Sequence, residues 1–191
     1  TPSSVSKEYS PIAARAGAIV VDNSSAWRMD PDCPLVVPEV NADQLHHIKK
    51  GIVANPNCST VQLVCALGPL HLAAGLRSVR IATYQSASGA GTERMEQLRE
   101  QPPGDGNVVM DWEFEEGESD EESKLRAETR KILELPELPL SATCARVPVL
   151  IGHSQAVWIE TEEPLSPEQA RDVLSRAPGI RLAEHPTARD A

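Results

Sequence analysis

Residues 51–65 read Gly-Ile-Val-Ala-Asn-Pro-Asn-Cys-Ser-Thr-Val-Gln-Leu-Val-Cys, GIVANPNCSTVQLVC. A short β-branched, apolar run (51–55) stops at Asn55-Pro56-Asn57, and a long apolar segment begins at once. Pro56 pushes Asn55 out of the helical region. Asn57 is a good N-cap, which places Cys58 in the first turn of a helix predicted over 59–75 and stopped by Gly75. Val61, Val64, Leu67 and Leu72 lie near helical spacing and are expected to form its buried stripe. A strand feeding a helix through a tight turn is the unit of an α/β fold.

The same alternation continues outward. Residues 17–23 (GAIVVDN), 34–40 (PLVVPEV) and 78–84 (SVRIATY) read as further strands, and 7–16 and 91–101 as shorter helices. At least part of the sheet is therefore expected to be parallel. Residues 102–122 differ, carrying nine carboxylates in their last eighteen positions and no Lys or Arg; 102–120 read as a solvated acidic connector. A helix follows from about Glu121 to Leu133, with Ser119 as N-cap. The apolar stretch 141–165 reads as two strands meeting near Gly152, and the last helix carries Ser166 as cap, Pro167 at its first position and Gly179 beyond its end.

The chain has 191 residues, enough for one full domain with a sizeable core. Aromatics make up only 3%, so that core must be aliphatic. A net charge of −10 argues against binding nucleic acid or anionic membranes. Four unpaired-looking cysteines point to a reducing, cytoplasmic compartment, and the histidines show no zinc spacing, so no metal is expected. No apolar run reaches the length of a membrane span.

Two readings fit Cys58. It is either a buried small residue at a strand-to-helix turn or a nucleophile whose thiolate and oxyanion are stabilised by the helix-start N–H groups. Cys65 and Cys144 read as core, Cys33 as a plain loop residue. His153, after Gly152 at a strand break, is the best base for Cys58. His46 and His47 read as surface, His71 as a satisfied core residue on the apolar helix. Arg146, inside an apolar strand, must be paired or face a ligand, and Arg28 lies in a loop after a strand, where α/β folds bind substrates. The Ser-Ala-Ser-Gly-Ala-Gly turn after Gln85 offers backbone N–H groups that could cradle a cofactor, although no GxGxxG fingerprint occurs.

The segments VVDNSSAWRMDPDCPLVVPEVN, GIVANPNCST, ATYQSASGAG, ETRKIL and RVPVLIGHS occur in one order. Together they resemble the aspartate-semialdehyde dehydrogenases, over most of the chain. The resemblance implies the remainder of a Rossmann-like nucleotide-binding domain (1–56) followed by an α+β catalytic and dimerisation domain (57–191). It implies a homodimer that uses NADP to interconvert aspartyl phosphate and aspartate semialdehyde plus phosphate, in lysine, methionine, threonine and diaminopimelate synthesis. By the same resemblance Cys58 is the nucleophile, His153 the acid/base and Gln85 the residue orienting the acyl intermediate. Arg28 would bind phosphate, Arg146 the substrate α-carboxylate, and Glu121 and Lys124 the substrate amine and phosphate. Asn57, Ser88 and Gly89 would lie near the nicotinamide. Members of the family open with a glycine-rich βαβ unit and close with a returning helix, and the resemblance implies that this chain is a piece lacking both. Two rivals stand beside this reading: an N-acetyl-γ-glutamyl-phosphate reductase, and a non-catalytic relative that keeps only the dimer surface.

Overall fold

A computed structural model describes residues 2–100, 108–110, 112–115 and 117–183. The first helix, α1 (Ser3–Arg15), leads into strand β1 (Val20–Asp22), which runs parallel to β2 (Ile52–Ala54) with Val20 opposite Ile52. The strand expected over 34–40 does not form. Only Leu35 bridges to Ala54, and the chain turns into a short helix, α2 (Pro38–Asn41). Pro34 and Pro38 have no N–H to give a ladder, and Pro38 suits the first position of a helix instead.

Helix α3 (Cys58–Ala74) begins at the Asn57 cap and ends at Gly75, whose φ of +65° needs a residue without Cβ strain. Val64 and Leu67 of the expected stripe are buried, but Leu72 is 87% exposed. The helix is apolar on nearly every side, so spacing alone does not choose its inner face.

Strand β3 (Leu76–Gln85) is the centre of a three-stranded sheet, parallel to β6 (Leu140–Arg146) on one side and antiparallel to β7 (Ser154–Thr161) on the other. The two strands foreseen in 141–165 therefore flank β3, with the Gly152 region as their connection. Val79, Ile81, Thr83 and Gln85 are all buried, as a period of two requires. Gln85 thus ends the inward stripe of β3, with Arg146 as its register partner on β6.

Helix α4 (Thr92–Glu100) precedes the acidic stretch. That stretch departs from a solvated connector where it is described, residues 101–107, 111 and 116 lying outside. Val109 pairs with Arg146, Trp112 packs against the core, and β4 (Phe114–Glu115) and β5 (Glu118–Ser119) form a hairpin. Ser119 and Glu122 form a capping box at the start of α5 (Asp120–Ile132), and Glu122 also accepts the Cys144 N–H at 2.9 Å, tying α5 to β6. Ser166 and Gln169 make a second capping box on α6 (Pro167–Ser175).

The core lies on both sides of α3. Leu63 and Leu67 meet Val79, Ile81, Leu125, Leu140 and Cys144, while Val64 meets Leu35, Val37, Ala54 and Ile132. Among the described residues no helix is long and apolar enough to cross a membrane. The architecture is α/β, with one parallel pair in the β1–β2 sheet and another in the three-stranded sheet.

Candidate active site

The carboxyl ends of β3 and β6 and the start of β7 converge on the first turn of α3. That convergence follows from register: Gln85 pairs with Arg146, and Tyr84 pairs with Ser154, the neighbour of His153. Ligands in α/β sheets bind at such strand ends.

Cys58 is the first residue of α3 and is exposed. Its Sγ lies 3.2 Å from His153 Nε2, the contact a nucleophile–base pair requires. Asn57 caps the helix by accepting the Ser59 N–H at 2.8 Å, while its own side-chain amide donates to Glu121 at 2.9 Å. One of the helix-start N–H groups, that of Ser59, is thereby occupied. Although the residue is exposed, the protein packed around its sulfur withdraws solvent and, with the Glu121 carboxylate adding, pushes the Cys58 thiol above its ordinary range. The helix-start amides pull the other way and lose.

His153 is held below the usual imidazole range, chiefly by burial and next by the Arg146 charge, with Glu121 opposing. Its Nδ1 accepts from the Ser86 N–H at 2.9 Å and lies 3.0 Å from the Ser86 hydroxyl. Both shifts favour the neutral forms, a thiol beside an imidazole. Gly89 faces this ring: a Cβ there would stand 3.0 Å from His153 Cε1 and 3.2 Å from Arg146 Nη1. Arg146 donates to the Ser86 carbonyl at 3.1 Å, and its guanidinium sits 4.9 Å from the Trp112 ring centre.

Glu121 is buried and gathers Asn57 and Gln85, whose side-chain amide donates to it at 3.1 Å. Gln85 therefore reaches the site through Glu121. Lys124 does not share this cluster: it pairs with Asp120 at 2.5 Å on the exposed flank of α5, beside the β4–β5 hairpin. Arg28 is buried and donates to Glu128 at 2.9 Å, and the other Glu128 oxygen accepts the Asn57 N–H at 2.6 Å. The loop arginine is thus wired to the cap of the Cys58 helix. Lys131, one turn further on, donates to the carbonyls of Arg28, Asp30 and Cys33 and holds that loop, so Cys33 is a buried anchor and not a plain loop residue.

Among the described residues the fit to a dinucleotide cofactor stops at its reacting end. Gly89 leaves no side chain beside the His153 ring, but the turn that looked like a cofactor cradle has spent most of its amides. Ala87 and Ser88 donate to the Val149 and Leu150 carbonyls, Gly89 to Ser86 and Gly91 to Ser88, and the Ser88 hydroxyl is 3.0 Å from that of Ser86. No group of His, Cys, Asp and Glu among the described residues could hold a metal.

Reading the sequence alone missed Ser86, Trp112, Glu128 and Lys131. A signal for Glu128 exists: Glu121, Leu125, Glu128 and Ile132 share one helical stripe and all are buried, so two carboxylates lie on the apolar face of α5.

The chain as a whole is similar to known proteins of one kind. The sequence model described as semialdehyde dehydrogenase, dimerisation domain, matches residues 67–191, and that described as semialdehyde dehydrogenase, NAD binding domain, matches residues 1–48. Aspartate-semialdehyde dehydrogenase of Aquifex aeolicus is 46% identical over 96% of the chain. The aspartate semialdehyde dehydrogenase II of Vibrio cholerae, solved complexed with ASA, superposes over the whole chain and 64% of its own length, with a TM-score of 0.92 and 38% identity. The Candida albicans enzyme, solved with NADP, covers 91% of this chain and 53% of its own, with a TM-score of 0.67 and 28% identity. The chain spans about three fifths of the curated relatives it matches, 60% of the Aquifex enzyme.

Proposed function

The chain belongs to the semialdehyde dehydrogenase family, and from that premise we propose that its parent protein is an NADP-dependent aspartate-semialdehyde dehydrogenase acting through Cys58. The observation that carries this reading is the 3.2 Å approach of Cys58 Sγ to His153 Nε2, with Glu121 and Arg146 around the same turn.

In the oxidative direction His153 takes the Cys58 thiol proton and Sγ attacks the aldehyde carbon, forming the C–S bond of a thiohemiacetal. When bound, a nicotinamide cofactor supplies the acceptor, or in reverse the donor, of a hydride. Phosphate then cleaves the thioester, and the sulfur leaves as thiolate and recovers its proton from His153. The biosynthetic direction reverses these steps. Arg146 suits the substrate α-carboxylate, being a buried cation at the Gln85 end of the sheet. Glu121 suits the α-amine and, through Gln85, orients the acyl group. Arg28 is the candidate phosphate ligand, with Glu128 holding its guanidinium in place. Lys124 would have to leave Asp120 to join it. Asn57, Ser88 and Gly89 would border the nicotinamide. We place the boundary between the nucleotide-binding and catalytic parts near residue 56 and expect a homodimer.

The test uses the full-length protein with NADP⁺, phosphate and either aspartate semialdehyde or N-acetylglutamate semialdehyde. Reduction of NADP⁺ with the first is expected. Turnover with the second alone would make the protein an acetylglutamyl-phosphate reductase, and turnover with neither would leave a non-catalytic relative.

A further inference from the structure

Two contacts meet at His153 Nδ1, and they ask opposite things of it. The Ser86 N–H, at 2.9 Å, can only donate, so it demands a bare Nδ1 and places the ring proton on Nε2. In that tautomer Nε2–H points at Cys58 Sγ and cannot take the thiol proton. The Ser86 hydroxyl, at 3.0 Å from the same nitrogen, can donate or accept. It has its own outlet, because the Ser88 hydroxyl lies 3.0 Å beyond it. Ser86 is fully buried, so these partners are not exchanged freely with water.

The geometry points to Ser86 as a positioning residue that sets which nitrogen of His153 carries the proton. Its hydroxyl is the acceptor that lets Nδ1 be protonated whenever Nε2 receives the proton of Cys58. The step balances from the other tautomer: the ring proton passes from Nε2 to Nδ1 and the Ser86 N–H contact is given up, then the S–H bond breaks, the Nε2–H bond forms, and Nδ1 keeps that proton. Ser86 only turns, accepting from Nδ1–H and donating to Ser88. The groups facing His153 are then the Cys58 thiol from α3, the Arg146 cation from β6 and the Glu121 carboxylate from α5, with Ser86 from the end of β3. Arg146 opposes an imidazolium, Glu121 favours it only partly, and the hydroxyl supplies the missing local acceptor. The Ser86 carbonyl also holds Arg146, so the same residue fixes both the ring and the cation that tunes it.

This inference deepens the proposed role of His153 as acid/base and rests on it, but its test needs neither substrate nor cofactor. The ¹⁵N shifts of His153 would be followed against pH, together with the rate at which iodoacetamide alkylates the Cys58 peptide, measured by mass spectrometry. In Ser86→Ala the neutral ring is expected to lock as the Nε2–H tautomer. Its pKa should fall by about one unit, the scale of one hydrogen bond to a charged group. Cys58 alkylation near neutral pH should slow in parallel, and Ser86→Thr should restore both. Ser88→Ala, which removes only the outlet of the hydroxyl, should give a smaller shift of the same sign. Unchanged shifts and alkylation rates in folded Ser86→Ala, or an Nδ1–H tautomer that persists there, would overturn the assignment. Either result leaves the dehydrogenase assay free to succeed or fail separately.

Discussion

On one flank of the Cys58 turn lie Arg28 and Glu128, a buried cation and a buried anion 2.9 Å apart, with the spare carboxylate oxygen on the Asn57 N–H. On the other lie His153, Ser86 and Ser88, a neutral ring and two hydroxyls. The first flank is charged and paired, so any change of protonation there breaks a buried pair. The second is built of neutral groups that can donate or accept, with the Arg146 cation and the Glu121 carboxylate beside them, so a proton can move there without breaking an ion pair. Catalysis that passes a proton back and forth belongs on the second flank, and rigidity belongs on the first.

Removing the sulfur between them should have the largest effect. Cys58→Ala in the full-length protein is expected to lower turnover by about a thousandfold or more. Stability should stay within about 0.5 kcal/mol, since the residue is exposed. Turnover that falls less than tenfold would remove Cys58 from the chemistry and dissolve the contrast.

Breaking the charged flank should cost fold before function. Glu128→Gln leaves the Arg28 guanidinium buried without its anion and is expected to cost about 3–5 kcal/mol in urea unfolding. The double variant Arg28→Met, Glu128→Leu should recover much of that loss, because two apolar side chains can replace a buried pair. A loss below about 1 kcal/mol in the single variant would show that the pair is not what makes this flank rigid.

The neutral flank should respond in rate more than in stability. In Gly89→Ala the new methyl would stand 3.0 Å from His153 Cε1 and 3.1 Å from Nε2, so the ring must shift by a few tenths of an ångström. A shift of that size at a proton-transfer contact is expected to lower kcat about tenfold, for an unfolding cost of no more than about 1.5 kcal/mol. A normal kcat would mean that the His153 ring tolerates displacement and that the Ser86 contacts do not set its place.

The two flanks were not equally legible in the sequence. The turn GIVANPNCST announced itself through Pro56, the Asn57 cap and the apolar run behind Cys58, because those signals are local. His153 was reachable from the Gly152 break. The partners of Arg28 were not, since Glu128 lies 100 residues away and only packing brings the two together. Its one trace is a carboxylate on the buried stripe of α5, which reads as an ordinary exposed charge until the inner face of that helix is known. Residues 34–40 misled for the opposite reason. Their β-branched character is real, but two prolines withhold the donors a strand needs. Leu72 misled because a helix apolar all round carries little phase. Ser86 was in plain view in the YQSASGAG segment, yet its role depends on which ring nitrogen it meets, and no sequence records that.

The smallest effect is one of pH, and it separates the flanks by sign. The native state favours neutral His153, so below about pH 6.5 the unfolded chain binds a proton the native state resists. The stabilisation is present above that pH and is lost as pH falls. Cys58 is shifted the other way: above about pH 8.5 the unfolded chain releases its thiol proton first, so its contribution is present below that pH and declines as pH rises. Thermal unfolding should therefore show a plateau between the two limits. His153→Asn should flatten the acid side and Cys58→Ser should flatten part of the alkaline side. Buried Cys144, pushed up to about 11, keeps an alkaline slope of its own, so the quantity to read is the difference between wild type and variant at each pH. A difference curve for His153→Asn that stays level from about pH 5 to pH 7 would mean that His153 feels no burial from its surroundings. The ring would then take up a proton as readily as in the unfolded chain, and the flank described as neutral would turn charged on the acid side.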